Sequence, residues 1–397
     1  MTRARWISVL VLATSACGDE RASSVDGGDA RSDSMQTDTN LDCPRMPAAP
    51  DRPRQLVVAR PLDSNNAPAN RYEVLQVGSD GLVYQSFPPR FFEMSGRATK
   101  GVIRFTPDSK IGFIPFDDGK IGVFSIDPMG AIAQVHYAWE GMGIASALEV
   151  SPDGKTLYIV DRRDRANGGG IYAATIACDG TLTDRGLVAA GSPMGLAFRG
   201  GNLATSVVAA NDLLDQTAAG DEIHLVDLST TPPTRIAGDD VFDGANPTMT
   251  RFAMSANVAF VGDATRLSIA TVTDTTVTPE TVMTDIAVLN GLATSPFDDS
   301  ALVLIQPDNL SRRMFRIHEE NGAWTRSPLT GDNGPAPAEI VTIERGALRG
   351  FFYVAESTIV HGYKWSTMHP GLIVSITAEV FPPYGAEQTT GALGVTP

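Results

Sequence analysis

The chain has 397 residues, of which 43% are hydrophobic and 19% charged, so it is long enough to bury one large core or two small ones. Its formal net charge is -15 at pH 7. A protein that neutralises phosphate groups needs clustered Lys and Arg, and this sequence has no such cluster. We therefore expect no nucleic-acid partner and no binding to an anionic membrane surface.

The first residues have the pattern of an export signal. Positively charged Arg3 and Arg5 precede a short apolar run that ends at Cys17. This run is too short to span a bilayer as a helix. The residues before the cysteine resemble a bacterial lipobox, which implies a signal peptide over 1–16 and a lipid on Cys17. Since Thr14 replaces the usual Leu, ordinary secretion with cleavage after residue 16 stays open.

The segment 17–53 is predicted to be a lipidated, disordered and acidic tether. It is poor in large apolar residues, so it cannot offset the entropy that ordering would cost. The lipid on Cys17 would be the only membrane contact, and the tether would hold a folded domain clear of the bilayer. We expect an exported monomer anchored to the bacterial membrane, periplasmic or surface-facing. The outer membrane is favoured because Asp19 lies outside the immediate sorting position.

Three cysteines are present, namely Cys17, Cys43 and Cys178. If Cys17 carries a lipid, the other two remain as an even pair in an oxidising compartment. A disulfide between Cys43 and Cys178 would tie the tether to the folded domain and restrict the unfolded chain. Two unrelated thiols are the alternative.

A repeated hairpin dominates the rest of the chain. Its clearest copy runs from Ala147 to Asp161, where two alternating apolar runs flank the turn Pro152-Asp153-Gly154. Successive copies are spaced by about 45 residues, the length of a propeller blade. Weaker copies begin at Val102, Gly195, Thr250, Gly291 and Glu339.

Each hairpin is followed by a third alternating run and a shorter fourth, with no convincing amphipathic helix. Four antiparallel strands per repeat predict an all-β, seven-bladed β-propeller over 54–397. The first blade lacks a first strand, whereas Gly391 to Pro397 has the pattern of one. The C-terminal strand is therefore predicted to complete the N-terminal blade and close the ring.

The segment from Val150 to Asp161 resembles the repeat of the lactonase-like and YVTN seven-bladed propellers, and weaker copies extend the resemblance over about 54–397. The resemblance implies the fold. The family includes a sugar-phosphate lactonase, but the repeat encodes a blade hairpin and carries no catalytic residue that can be transferred to this chain.

No sequence motif for a cofactor or metal was found. The five histidines are scattered, and Asn211 and Asp212 lack the oxygen-ligand spacing of a calcium loop. We expect no cofactor and no metal. Half-buried strand histidines are the simplest interpretation of His224 and His318.

Candidate ligand-binding residues lie in the long polar connections between second and third strands and in the links between blades, which share one face of a propeller. Arg side chains among carboxylates can bind an anionic group, and an aromatic ring beside a carboxylate suits a sugar. A solvated loop of salt bridges or a packing Trp explains the same residues without a ligand. The candidates are Asp161, Arg162, Arg163, Asp164, Asn211, Asp212, Trp139, Glu140 and Asp240.

Two functions fit this pattern. The first is a lipid-anchored envelope module that binds a protein, peptide or glycan, or acts as a scaffold, through the long-loop face. The second is a lactonase-like hydrolase in which carboxylates near the central channel activate water. The absence of catalytic motifs from the sequence favours the first.

Overall fold

The computed structural model describes residues 45, 52–62, 68–86, 88, 90–94, 98, 101–116, 118–138, 145–162, 169–214, 221–242, 248–286, 288–306, 314–329, 339–355, 360–366, 373–375 and 392–397. All of them belong to one compact unit, Asn40–Pro397. The predicted signal peptide, Cys17 and Cys43 lie outside the described residues.

The described strands fall into seven successive antiparallel units. Unit 1 contains β1 (Arg54–Leu62), β2 (Pro68–Val77), β3 (Val83–Tyr84) and β4 (Arg90–Glu93), and it is followed by the short strand β5 (Gly101–Val102). Unit 2 contains β6 (Arg104–Phe105), β7 (Ile111–Pro115), β8 (Ile121–Ile126) and β9 (Ile132–Ala138). Unit 3 contains β10 (Ala145–Val150), β11 (Thr156–Asp161), β12 (Gly170–Ile176) and β13 (Leu182–Phe198). The long β13 serves both as the fourth strand of unit 3 and as the first strand of unit 4.

The remaining units follow the same order. Unit 4 continues with two 3-10 turns, Arg199–Gly201 and Leu203–Thr205, and with β14 (Ser206–Leu213), β15 (Ile223–Asp227) and β16 (Thr234–Asp239). Unit 5 contains β17 (Arg251–Met254), β18 (Val258–Gly262), β19 (Leu267–Val272) and β20 (Val277–Met283). Unit 6 contains β21 (Val288–Thr294), β22 (Ala301–Gln306), β23 (Met314–Glu320) and β24 (Ala323–Pro328). Unit 7 contains β25 (Glu339–Thr342), β26 (Phe351–Ala355), β27 (Val360–Trp365) and β28 (Ile373–Ser375). The last strand is β29 (Ala392–Val395).

The best-preserved repeat forms the hairpin expected of it. The N–H of Gly154 donates to the carbonyl of Ser151 at 2.8 Å, and Gly154 has a φ of +71°, which glycine adopts without a Cβ clash. The carboxylate of Asp153 accepts from the N–H of Lys155 at 3.0 Å and so fixes the turn. The turn residues thus set the register of β10 against β11.

The two ends of the propeller meet in one sheet. β29 pairs antiparallel with β1, with Leu56 opposite Val395. β5 pairs parallel with the other edge of β29, the one that faces away from β1. The predicted completion of the N-terminal unit by the C-terminal strand is therefore confirmed. No edge of β1 remains unpaired, which is how propellers avoid exposed sheet edges.

The hydrophobic core is divided among the interfaces between units. Phe260 of unit 5 packs with Val303 of unit 6 in one cluster, and Leu56 of unit 1 packs with Tyr353 of unit 7 in another. Seven such clusters each join two neighbouring units. The first strand of each unit also contacts the first strand of the next unit, and the circle closes because β29 contacts both β25 and β6. The predicted all-β propeller fold class is confirmed.

Several boundaries differ from the sequence prediction. Asn211 and Asp212 were predicted in a connection between strands, but they belong to β14, which continues through Leu213. Asp161 likewise ends β11 rather than lying in the connection after it. The outer part of unit 1 is divided into two short strands, β3 and β4, which both pair with β2. Among the described residues the only helical elements are the two 3-10 turns.

Candidate functional site

The propeller has two faces, which carry different connections between strands. The turn face carries the turns between first and second and between third and fourth strands, such as 151–155 and 177–181. The loop face carries the connections between second and third strands and the links between units, and it includes Arg162, 211–214 and 239–242. Candidate ligand-binding residues were predicted on the loop face.

Acidic residues on the turn face shape the backbone. The carboxylates of Asp127, Asp153 and Asp179 each accept a hydrogen bond from the backbone N–H two residues further on, at 2.8, 3.0 and 2.9 Å. The bond from Thr181 also lowers the pKa of Asp179. These carboxylates hold turns together, which leaves them poorly suited to bind a ligand.

Two of the predicted residues lie where unit 3 meets unit 4. Asp161 is buried at the end of β11, and Arg162 follows it with an exposed side chain. Nη1 of Arg162 lies 3.2 Å from the sulfur of Met194, which belongs to the first strand of unit 4. The guanidinium group is therefore placed over the boundary between the two units.

The predicted residues of unit 4 lie at the same boundary. A Cβ on Gly191 would come within 2.1 Å of the carbonyl oxygen of Asp212, and one on Gly169 would come within 2.6 Å of that of Asp161. The N–H of Gly191 donates to the carbonyl of Gly169 at 3.0 Å. These contacts place the backbones of Asp161 and Asp212 at the same boundary, and Asn211 directly precedes Asp212 in sequence. The carboxylate of Asp212 is exposed and has no partner among the described residues.

The other predicted residues are more dispersed. Arg163, Asp164, Trp139 and Glu140 lie outside the described residues. Asp240 lies in the link from unit 4 to unit 5, where its carboxylate accepts from the N–H of Phe242 at 2.9 Å.

Glu222, which the sequence did not single out, lies next to Asp240. It is 2% exposed and accepts from the N–H of Val241 at 2.9 Å. Burial raises its pKa to about 7, and the hydrogen-bonded carboxyl of Asp240 adds to this rise. At neutral pH Glu222 can therefore either accept or donate a proton. No local pattern marks it, because the link 240–242 buries it.

The mouth of the central channel holds a second unforeseen group. Nε and Nη2 of Arg251 in unit 5 donate to the carbonyl of Asn290 in unit 6 at 2.9 and 2.6 Å. Nη2 also lies 3.8 Å from the buried carboxylate of Glu339 in unit 7. One guanidinium group therefore links three units at the loop end of the channel.

A further charged pair lies deeper, towards the turn face. Nε of Arg104 donates to the carbonyl of Leu148 at 3.0 Å, and its guanidinium forms an ion pair with Glu149. Burial raises the pKa of Glu149 to about 7; Arg104 opposes this rise and the charge of Glu344 from unit 7 adds to it. The channel is thus polar at both ends.

The part of the chain that the structure describes contains no group of three His, Cys, Asp or Glu side chains placed to hold a metal ion. His224 is buried, with its pKa lowered to about 4 chiefly by burial, and its Nε2 lies 3.2 Å from the carbonyl of Ala210. No described helix is long and apolar enough to cross a membrane. Cys178 is disulfide-bonded.

Comparison with known proteins establishes the fold and nothing finer. No protein-family model and no curated protein match the chain. Two presumed 6-phosphogluconolactonases of known structure are similar: that of Bacteroides fragilis has a TM-score of 0.58 at 11% identity and covers 88% of this chain and 100% of its own. That of Bacteroides uniformis has a TM-score of 0.61 at 9% identity and covers 87% and 99%.

A functionally unknown protein from Desulfotomaculum acetoxidans is also similar, with a TM-score of 0.52 at 11% identity over 86% of this chain and 98% of its own. The chain therefore has a lactonase-like β-propeller fold. Because propellers of this kind support many activities, function has to be argued from the residues of the site.

Proposed function

We propose that the protein is a lipid-anchored envelope module that binds a protein, peptide or glycan, or serves as a scaffold, through its loop face. The observation that carries this proposal is that Arg162 and Asp212, which are both exposed and opposite in charge, lie at the boundary of units 3 and 4 on the loop face. Such a pair suits a polar ligand with complementary charges.

Binding can be tested by comparing three forms of the mature protein in cross-linking capture from envelope extract and on a glycan array. The loop-face variant combines Arg162→Ala with Asp212→Asn. The control combines Arg185→Ala with Glu280→Gln, which lie exposed on the outer strands β13 and β20. A partner held by the wild type and the control but lost from the loop-face variant supports the proposal. Equal retention by all three, or no specific partner, rejects it.

Lipid anchoring is supported by the residues before Cys17 and needs its own test. Mass spectrometry of the mature N-terminus is expected to show a diacylated Cys17. An unmodified N-terminus at the same residue would mean ordinary secretion. The binding proposal for the loop face would then stand without the anchor.

Hydrolysis of a lactone is a second candidate, favoured by the hydrogen-bonded carboxyl pair of Glu222 and Asp240. The carboxylate of Glu222 would take a proton from water as the water oxygen adds to the lactone carbonyl. The ring C–O bond then breaks, and the ring oxygen takes the proton. Activity that depends on this base should rise with pH through about 7, the pKa of Glu222.

Aldonolactones are the first substrates to test, with Glu222→Gln and Asp240→Asn as variants and Glu280→Gln as the control. Loss of hydrolysis in the first two alone supports this function. No hydrolysis by the wild type, or hydrolysis that neither variant changes, excludes this pair. Variants of Asp161, Arg163 and Glu140 then test the carboxylates and arginine predicted from the sequence.

A further inference from the structure

The chain immediately before the propeller is fixed on the turn face by a buried arginine. Arg45 is 7% exposed, and its Nη2 donates to the carbonyl of Ala177 at 2.5 Å in a turn of unit 3. Its Nη1 lies 3.5 Å from the carboxylate of Asp108 in a turn of unit 2. Nη1 of Arg52 donates to the carbonyl of Asp108 at 2.8 Å. Two arginines therefore join this segment to neighbouring units.

The groove that holds Arg45 depends on a glycine. A Cβ on Gly154 would come within 2.7 Å of Cβ of Arg45 and within 2.8 Å of Cδ of Pro107. The side chain of Arg45 thus lies between the hairpin turns of units 2 and 3, where burial of a guanidinium is favourable only when its donors are well paired. The position of Arg45 is set by these contacts.

Cys178 directly follows Ala177 and is disulfide-bonded. The chain offers two partners, Cys17 and Cys43. Cys43 lies two positions before Arg45, so their Cα atoms can be at most about 7 Å apart. A disulfide needs Cα atoms about 4.4 to 6.8 Å apart, and Arg45 binds the carbonyl of Ala177, the residue directly before Cys178. Cys17 lies about 28 positions before Arg45, so a bond from Cys17 to Cys178 would cost more loop-closure entropy.

We propose that Cys43 and Cys178 form a disulfide and that this bond, with Arg45 and Arg52, makes a strap that fastens the N-terminal segment to the turn face at units 2 and 3. Two thiolates are oxidised to one disulfide, and the two electrons pass to a thiol oxidant in the compartment to which the chain is expected to be exported. If the proposed lipid anchor on Cys17 is also present, the strap makes the turn face the point at which the tether is attached.

Peptide mapping of the full mature chain without reduction tests the pairing. The expected result is one cross-linked species that joins the peptides containing Cys43 and Cys178 and disappears on reduction. A cross-link from Cys178 to Cys17, or two alkylatable thiols at 43 and 178 in the native protein, overturns the proposal. Neither readout depends on what the loop face binds.

Limited trypsin digestion tests the strap independently. Cleavage after Arg45 is expected to be at least about tenfold slower than cleavage after Arg31, because the buried site must open before the protease can act. Reduction, or Cys43→Ser, should bring the two rates together. Arg45→Lys should speed cleavage at position 45 while the disulfide stays intact, since Lys cannot pair with both acceptors through a planar fork. Equal rates at positions 31 and 45 in the oxidised wild type overturn the strap.

Discussion

The backbone N–H of Gln55 donates to Oγ1 of Thr396 at 2.9 Å, across 341 positions of sequence. The N–H of Thr396 in turn donates to the carbonyl of Gln55 at 2.9 Å. These bonds continue the pairing of β1 with β29 beyond Leu56 and Val395. The ring is thus held at its junction by backbone pairing and by the buried side chains beneath it.

Replacement of Leu393 by Ala should destabilise the whole ring. Leu393 is fully buried in the cluster that joins units 1 and 7, so the loss is expected to be about 2 to 5 kcal/mol. Leu187→Ala is the matched control, because Leu187 is 45% exposed on an outer strand, and its change should stay within about 0.5 kcal/mol. Urea unfolding measures both. Similar midpoints for the two variants would contradict the closure.

Replacing Gly81 or Gly322 by Ala distinguishes the effect of steric crowding on stability from the effect of backbone strain. Both have a φ of +79°, but a Cβ on Gly81 would come within 1.9 Å of the ring of Phe351, whereas one on Gly322 would meet nothing within 4 Å. Gly322→Ala should cost about 1 kcal/mol, from the left-handed backbone alone. Gly81→Ala should cost about 1 to 3 kcal/mol more because the ring must move. Thermal unfolding of the two variants side by side checks the difference.

Glu222→Gln should change how stability depends on pH. The pKa of Glu222 rises from 4.5 to about 7 on folding, so the folded protein binds more protons than the unfolded chain in this interval. Glu222 therefore makes the wild type lose stability as pH rises from about 4.5 to 7. The measured quantity is the free energy of unfolding of the Gln variant minus that of the wild type. This difference should be about 1 to 3 kcal/mol larger, in favour of the variant, at pH 8 than at pH 4.

The control for this measurement is Glu280→Gln on the exposed face of β20. Its unfolding free energy should run parallel to that of the wild type over the same pH range. A Glu222→Gln curve that also runs parallel would show that the carboxyl is not buried as described.

The channel pair of Arg104 and Glu149 should be coupled, and the coupling should depend on pH. Since the pKa of Glu149 is about 7, its carboxyl is mostly neutral at pH 5 and charged at pH 8. Arg104→Met should therefore lower the free energy of unfolding by about 1 kcal/mol more at pH 8 than at pH 5. The expected difference is modest because the Arg104 side chain is partly exposed. A double-mutant cycle with Glu149→Gln measures the coupling. A coupling energy of zero at pH 8 would refute the ion pair.

The sequence predicted the fold because its signals are local. The turn at Asp153 and Gly154 carries its own hydrogen-bond and φ requirements, so it predicts a hairpin without knowledge of distant residues. Even the closing strand at 391–397 was recognisable, because it repeats the pattern of other first strands. Strand ends were less predictable: Asn211 and Asp212 look like loop residues but extend β14, whose ladder continues further than composition suggests.

Site residues were harder to predict because their chemistry depends on distant neighbours. Glu222 owes its raised pKa to burial under a link 18 to 20 residues away, and Arg251 bridges to Asn290 and Glu339 in two other units. Asp161 and Arg162 were correctly assigned to the loop face, although whether they bind a ligand stays a prediction. Loop composition indicates a face, whereas the arrangement of charges requires the folded ring.

The pairing of β29 with β1 has a consequence for how the protein is made. Synthesis delivers the chain from the N-terminus, so β1 emerges first and its partner strand β29 emerges last among the described strands. Until then unit 1 has an open edge of unpaired N–H and C=O groups, which can pair with another chain. Closure of the ring must wait for β29 to arrive, and a nascent chain stalled short of Ala392 should be a target for chaperones and proteases.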